Sequence, residues 1–297
     1  MAVVNTNISS SIAQSALMKN DRALGKAMEQ LSTGSRINSA ADDAAGLAIS
    51  TRMTSQINGL NVGIKNANDG ISMLNTAEGA LDEVTNMLQR MRELALQASN
   101  GTTDVKDRSY MNKEYQELVK EIARVATKTE WNGRTILDNT ADGSSSGAVE
   151  FQIGVDTGTT LEVDFGDYRV DTSGATMAAF STVVSAGTSG EAKTISAAST
   201  GSAQTTSSAV LGHIDTALNA VNEKRAVLGA ATNRLTHTVD NLTNVVVNAE
   251  STRSAISDTD YAEATSELAR AQIIAQAGTA MLAQANQMPQ TVLALLQ

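Results

Sequence analysis

The chain lacks cysteine altogether, has a single proline, and is only 3% aromatic. Without cysteine there are no disulfides and no thiolate metal sites, though this alone does not fix the compartment. With one proline, long uninterrupted helices are favoured, because proline removes a backbone donor and clashes with the preceding turn. Few aromatics argue against a compact globule built around large side chains. Positive charge is also short: the net charge is −10. That excludes the basic stripe a nucleic-acid partner needs and disfavours an anionic membrane surface. No run approaches the roughly 20 apolar residues of a membrane span. The opening "MAVVNTNISSSIAQSALMK" has no basic residue before Lys19 and no continuous apolar region, so no cleavable secretory signal is expected. What is abundant is Ala, Leu, Gln, Met and Glu, which are helix formers. At 297 residues and 41% hydrophobic, the chain is long enough for one or two domains with a core.

Apolar positions recur at alternating steps of three and four. Leu17, Leu24, Met28 and Leu31 share one face, and the pattern breaks at "STGSR", where Gly34 suits a helix C-terminus. A longer stripe follows: Met53, Ile57, Leu60, Ile64 and onward through Leu81, Leu88, Met91, Ala95 and Ala98. One extra step of three near Ala77 would locally overwind a coiled coil. Such a helix would be about 60–70 Å long at ~1.5 Å per residue. "NGTTD" stops it, and Met111, Tyr115, Leu118, Ile122 and Val125 mark a third helix.

The middle differs. "WNG", Trp131 to Gly133, reads as a turn. Val149, Phe151, Ile153 and Val155 alternate at period two, as do Leu161, Val163 and Phe165, with "DTGT" between them. This predicts a β-hairpin with one buried face. From about Asp171 to Ser208 the chain is rich in Ser, Thr, Gly and Ala, which fits either a small β-rich insertion or a surface loop. Helical period returns from Leu211 through Ala249, with Arg225 and Thr232 in two in-register positions. It continues from Tyr261 to Leu296, where Pro289 on the stripe is expected to kink or end the helix.

Helices at both ends thus flank a polar centre. The fold class expected is mainly α: a long antiparallel coiled-coil bundle formed by the N- and C-terminal halves, with a small β-hairpin region and a small central insertion. The two end segments lean on Ala, Gly and Ser. A buried Leu contributes roughly 1.5–3 kcal/mol, and Ala far less. Such helices barely offset the ~1–2 kcal/mol per residue of backbone ordering. Both ends are therefore expected to fold only when many copies pack together. A second face of Ile274, Met281, Met288 and Leu295 would contact a further neighbour.

"NSAADDAAGLAIS", Asn38 to Ser50, places two carboxylates in an apolar run. Ser39 followed three residues later by Asp42 has capping-box spacing. Asp42 and Asp43 are then expected in the first turn, where negative charge complements the helix dipole. Gly46 and the neighbouring alanines keep that turn slim, and Arg36 can offer charge from the preceding loop. No facing acid, base or nucleophile at defined spacing supports catalysis.

"LSTGSRINSAADDAAGLAIS", Leu31 to Ser50, closely resembles the N-terminal signature of bacterial flagellin. "LQRMRELALQASNG", "NGRTIL", "FQIGVDTGTTLEV" and "SDTDYAEATSELARAQIIAQAGTAMLAQANQMPQTVLALLQ" are similar to further flagellin stretches. The resemblance covers roughly 1–165 and 208–297. Trp131 stands where the family usually has Phe, and Gln297 where Arg is common.

The resemblance implies a structural subunit that polymerises into the flagellar filament. It implies terminal helices (1–42 and 255–297) forming an inner coiled-coil core. Leu17, Leu24, Leu31, Leu268, Ala275 and Leu282 would lie in the coiled coil between subunits. A helical bundle with a β-hairpin (43–170 and 206–254) would form an outer shell, and 171–205 a small surface insertion. It further implies export unfolded through a flagellar type III channel to the cell exterior and a chaperone over about 258–297. Cap and hook-associated junction proteins are implied as further partners. Family members detected by Toll-like receptor 5 present an Arg, a Leu and a Glu, which map onto Arg90, Leu94 and Glu114. Read from the residues alone, Arg90 and Glu114 are a solvated charged face. Leu94 lies outside the main apolar stripe, so it is either exposed or against a neighbouring subunit.

Other readings are weaker. His213 and His237 are the two histidines, there is no H-E-x-x-H, and no nucleophile elbow or Walker-type loop occurs, so no enzyme and no cofactor are expected. "GLNVG" inside the long helix reads as close packing. "DTD", Asp258 to Asp260, reads as a helix N-terminal charge pair ahead of a metal site. The alternative within the same apparatus is the hook–filament junction protein, which shares flagellin-like ends.

Overall fold

The computed structural model describes residues 7–138, 147–168 and 200–294, with the side chains of 200–208 and 288–294 outside that description. Among the described residues the helices are α1 (Ile8–Thr33), α2 (Ala44–Ser99), α3 (Val105–Lys128), α4 (Thr200–Ser257) and α5 (Tyr261–Ala294). Two antiparallel hairpins lie between α3 and α4 in sequence: β1 (Glu130–Trp131) with β2 (Arg134–Thr135), and β3 (Ala148–Gln152) with β4 (Thr160–Asp164). The mainly helical fold with a small hairpin region is as the periodicity predicts. The central insertion expected at 171–205 lies outside the described residues up to 199, and α4 is already helical from Thr200.

The chain divides into two compact units. The larger, Gly59–Val245, holds a continuous core. Leu74, Leu81, Leu88 and Met91 of α2 meet Tyr115 and Ile122 of α3, and Val210, Ile214, Val221 and Leu235 of α4. α2 and α4 run antiparallel, since Arg92 pairs with Asp215 at 2.8 Å and Asp82 with Arg225 at 3.1 Å. The second contact explains why Arg225 occupies an in-register position on the α4 stripe. Its guanidinium meets Asp82 and, at 3.8 Å, Glu78 across the helix pair.

The "WNG" turn forms as expected, with Asn132 and Gly133 both in the left-handed region that a tight hairpin turn requires. In the second hairpin Leu161, Val163 and Phe165 are buried and Val149, Phe151 and Ile153 half-buried against the core. The hairpin lies on α2 where that helix is bare. A Cβ on Gly63 would stand 2.4 Å from the Ile153 carbonyl oxygen, and one on Gly59 3.0 Å from Val155. "GLNVG" is therefore a close-packing surface. Asn66 Nδ2 donates to the Gln152 carbonyl at 2.9 Å and fixes the register of helix and hairpin.

Arg108 is buried and caps the far end of α2. Its Nε donates to the Ala98 carbonyl at 3.0 Å and its Nη2 to that of Asn100 at 3.2 Å, so it satisfies carbonyls the helix end leaves open. The stop at "NGTTD" is where the sequence places it, and α2 ends at Ser99.

The smaller unit, Met1–Asn58 with Val246–Gln297, contains α1 and α5. α1 ends on Gly34, whose φ is 72° and whose N–H returns to the Gln30 carbonyl. Asn7 Nδ2 donates to the Ala285 carbonyl and Asn20 Nδ2 to that of Ala271, so the two helices run antiparallel. Pro289 does not end α5, which continues to Ala294. Among the described residues, no helix is long and apolar enough to cross a membrane.

Candidate assembly surfaces

The turn before α2 is built from Asn38 to Gly46, and its geometry corrects two expectations. Asp42 and Asp43 do not lie in the first helical turn, because α2 begins at Ala44. Asp43 is itself the cap: its Oδ1 accepts from the Gly46 N–H at 2.9 Å and its carbonyl from Leu47. Asp42 closes the turn ahead of it. One carboxylate oxygen, Oδ2, accepts from the Ser39 N–H at 3.0 Å, the Ser39 hydroxyl at 3.1 Å and the Asn38 N–H at 3.3 Å. The Ser39–Asp42 link thus forms, but Ser39 stands four residues ahead of the actual cap, Asp43. The sequence could not separate two neighbouring aspartates by role.

Arg36 does not neutralise this pair. Lys26 does, with its Nζ 2.9 Å from Asp42 Oδ1. The ammonium, together with the Ser39 and Asn38 donors, holds the Asp42 carboxyl at about 2, below its usual 3.8. Arg36 turns to the other end of the chain and donates to the Ile256 carbonyl. Around it, the Arg36 N–H donates to Ser257 at 2.7 Å and the Thr259 N–H to Gly34 at 3.0 Å. The Ser35 hydroxyl also reaches the Ser257 carbonyl at 3.0 Å. This backbone clasp joins the α1–α2 connection to the α4–α5 connection. Asp260 caps α5 by accepting from Ala262 at 2.8 Å, the structural role expected of "DTD". Gly46 is required here, since a Cβ would fall 2.4 Å from Asp43 Oδ2 and 2.7 Å from Ile37 Cδ1.

The α1–α5 pair buries very little. Ala27 is the buried residue of α1, and Ala264, Ala271 and Ala285 are those of α5 among its described side chains. Leu17, Leu24, Leu31, Leu268, Ala275 and Leu282 are half-buried at steps of seven. Leu17 Cδ1 would lie 3.3 Å from a Cβ on Gly278. Leu17 among them lines the groove between the chain's own α1 and α5. The surface left open is a different set: Ile8, Ile12, Met18 and Met28 on α1, and Ile273, Ile274 and Met281 on α5. Ile274 and Met281 are the second face expected from the sequence, while the side chains of Met288 and Leu295 lie outside the described residues. A groove of about 410 Å³ runs between Ile12, Ala16 and Leu17 on one helix and Ile274, Gly278 and Met281 on the other.

In the larger unit, Arg90 of α2 and Glu114 of α3 do meet. Arg90 Nε lies 2.8 Å from Glu114 Oε1 and its Nη1 3.0 Å from Glu93. All three side chains are about half-exposed or more. Leu94 differs from expectation: it is 2% exposed and belongs to the core. α2 packs against both α3 and α4, so its buried arc is wider than a single heptad stripe and takes in the position beside Ala95. His213 and His237 both lie on α4.

The family model of the bacterial flagellin N-terminal helical region matches residues 4–142, and that of the C-terminal helical region matches 211–296. The chain belongs to the bacterial flagellin family. A flagellin of Halalkalibacterium halodurans is 43% identical over 295 residues, covering 99% of this chain and 100% of its own. A flagellin of Bacillus subtilis is 41% identical over 302 residues and 99% of each chain. The crystal structure of a Bacillus cereus flagellin aligns with 60% of this chain and 88% of its own at 30% identity and a TM-score of 0.47. This flagellin is a structural subunit of the flagellar filament, and its α1, α2, α4 and α5 fall inside the two matched regions or overlap them.

Proposed function

We propose that this filament subunit reaches the cell exterior as an unfolded chain through a flagellar type III channel and completes its folding on assembly. The observation that carries the reading is the row of open apolar side chains on α1 and α5, from Ile8 to Met28 and from Ile273 to Met281. A helix pair held by four buried alanines and half-buried leucines lacks the burial to offset ordering of the backbone at ~1–2 kcal/mol per residue. Copies packed around it supply the missing contacts. In this reading the terminal segments 1–42 and 255–297 form the inner core of the filament. Segments 43–170 and 206–254 form its shell, and 171–205 faces solvent. A chaperone covers about 258–297 before export, and cap and hook-associated junction proteins bound the polymer at its ends. The role is structural and non-catalytic.

The test is electron microscopy of purified protein nucleated by salt. Long filaments are expected from the full chain, and none from a chain trimmed of 1–33 and 261–297. Normal filaments from the trimmed chain would overturn the reading.

The free subunit is also proposed as a ligand of Toll-like receptor 5 through Arg90 and Glu114. Their ion pair presents a guanidinium and a carboxylate side by side at the surface. Leu94, being buried, contributes by holding α2 in place. Arg90→Ala and Glu114→Ala monomers are each expected to lower receptor signalling about tenfold or more. Undiminished signalling from both would remove the proposal.

A further inference from the structure

With no cysteine in the chain, the sulfur available to an oxidant is that of methionine. The methionines whose side chains are described sort by place in the fold. Met73 is 8% exposed and Met91 0%, both inside the larger unit's core. Met53, Met87 and Met111 are half-buried. Met18, Met28 and Met281 are 56%, 56% and 65% exposed. All three of these exposed thioethers lie on the thinly packed α1–α5 pair. Met281 lines its apolar groove together with Ile12, Leu17 and Ile274. Among the described residues, the helices with the weakest packing therefore carry the sulfurs most open to solvent, on the face where apolar contact is in demand.

We propose that Met18, Met28 and Met281 are peroxide-modification sites, and that their conversion to the sulfoxide withdraws a free subunit from assembly. The inference rests on the filament reading above. In the reaction the thioether sulfur attacks one oxygen of hydrogen peroxide, the O–O bond breaks, and water leaves. The sulfur is oxidised by two electrons and the peroxide reduced by two. The product places a strongly dipolar, chiral S=O where an apolar chain end stood. A hydrogen-bond acceptor so placed is desolvated without a partner when a second copy covers the face, which opposes docking. In an assembled filament the same sulfurs are covered and spared. Modification thus acts on the free, folded subunit rather than on the finished polymer. A thiol-dependent sulfoxide reductase restores the thioether.

The experiment treats the full chain with hydrogen peroxide, as monomer and as filament, and maps sulfoxide by peptide mass spectrometry before seeded polymerisation. In monomer, Met18, Met28 and Met281 are expected to oxidise ahead of Met73 and Met91. The polymerisation rate is expected to fall about tenfold and to return after reductase treatment. In filament the three are expected to be protected. The ratio of oxidised to untreated rate is then compared within each of two proteins, the natural chain and a Met18→Leu, Met28→Leu, Met281→Leu variant. A ratio near one in the variant and near one-tenth in the natural chain supports the proposal. Equal ratios in the two, or unimpaired polymerisation of natural chain oxidised at the three sites, overturn it. Failure of untreated natural chain to polymerise at all overturns the filament reading and this inference with it.

Discussion

A methyl group added at Gly63 and one added at Gly79 have opposite consequences on the same helix. The first collides with the Ile153 carbonyl at 2.4 Å, and the second meets nothing within 4 Å. Gly63→Ala is expected to lift the hairpin from α2 and cost about 1–3 kcal/mol in denaturant unfolding of the larger unit. Gly79→Ala is expected to gain about 0.5–1 kcal/mol by relieving glycine's backbone entropy. Asp42 makes a further residue-scale test. Its carboxyl sits at about 2 because Lys26 and the Ser39 and Asn38 donors favour the anion. A lowered folded value means the stabilisation is complete above the ordinary carboxylate value of 3.8 and is lost as pH falls from there through about 2. Filaments of Lys26→Met are expected to lose that part of their acid dependence in a pH titration followed by light scattering. At this scale the sequence was partly legible. Ser39, Asp42, Asp43 and Gly46 announce a tight helix entrance, since those residue types are the ones that serve backbone donors. That Lys26 and not Arg36 supplies the cation was hidden, because it depends on which helix face α1 turns toward the loop.

At the scale of elements, α2 owes its place to burial on two sides. Leu81 and Leu88 are fully buried, and Leu81→Ala is expected to cost about 2–5 kcal/mol through the lost transfer energy and the cavity left behind. Arg108 is the element-scale device that no periodic pattern reveals. It is a buried guanidinium whose donors close the last turn of α2 from within the next helix. Period alone puts Leu94 outside the main apolar stripe, because one stripe implies one partner. A helix covered by α3 and α4 together buries a wider arc, and Leu94 falls inside it. The same logic made the hairpin legible: alternation at Val149–Phe151–Ile153 and Leu161–Val163–Phe165 is a local signal. The glycines at 59 and 63 read as close packing, and the Ile153 to Val155 segment is what packs there.

For the molecule as a whole, the division of labour follows the distribution of large side chains. Leu, Ile, Tyr and Phe gather in the Gly59–Val245 unit and make it self-sufficient. Among its described side chains the α1–α5 pair fully buries alanines alone, its leucines at steps of seven are half-buried, and Ile8, Ile12, Met18, Met28, Ile273, Ile274 and Met281 face outward. Composition alone foretold that imbalance. It does not say whether the half-buried leucines at steps of seven meet a helix of the same chain or of another, because a heptad stripe looks the same in both cases. The account therefore stands on the claim that α1 and α5 acquire their stability from neighbouring copies. Amide hydrogen exchange on dilute monomer and on filament measures this directly. Exchange of 8–33 and 261–287 is expected to be fast in monomer and slowed about a hundredfold or more in filament, while 74–98 stays protected in both. Equal, strong protection of the two terminal helices in the dilute monomer would contradict the account.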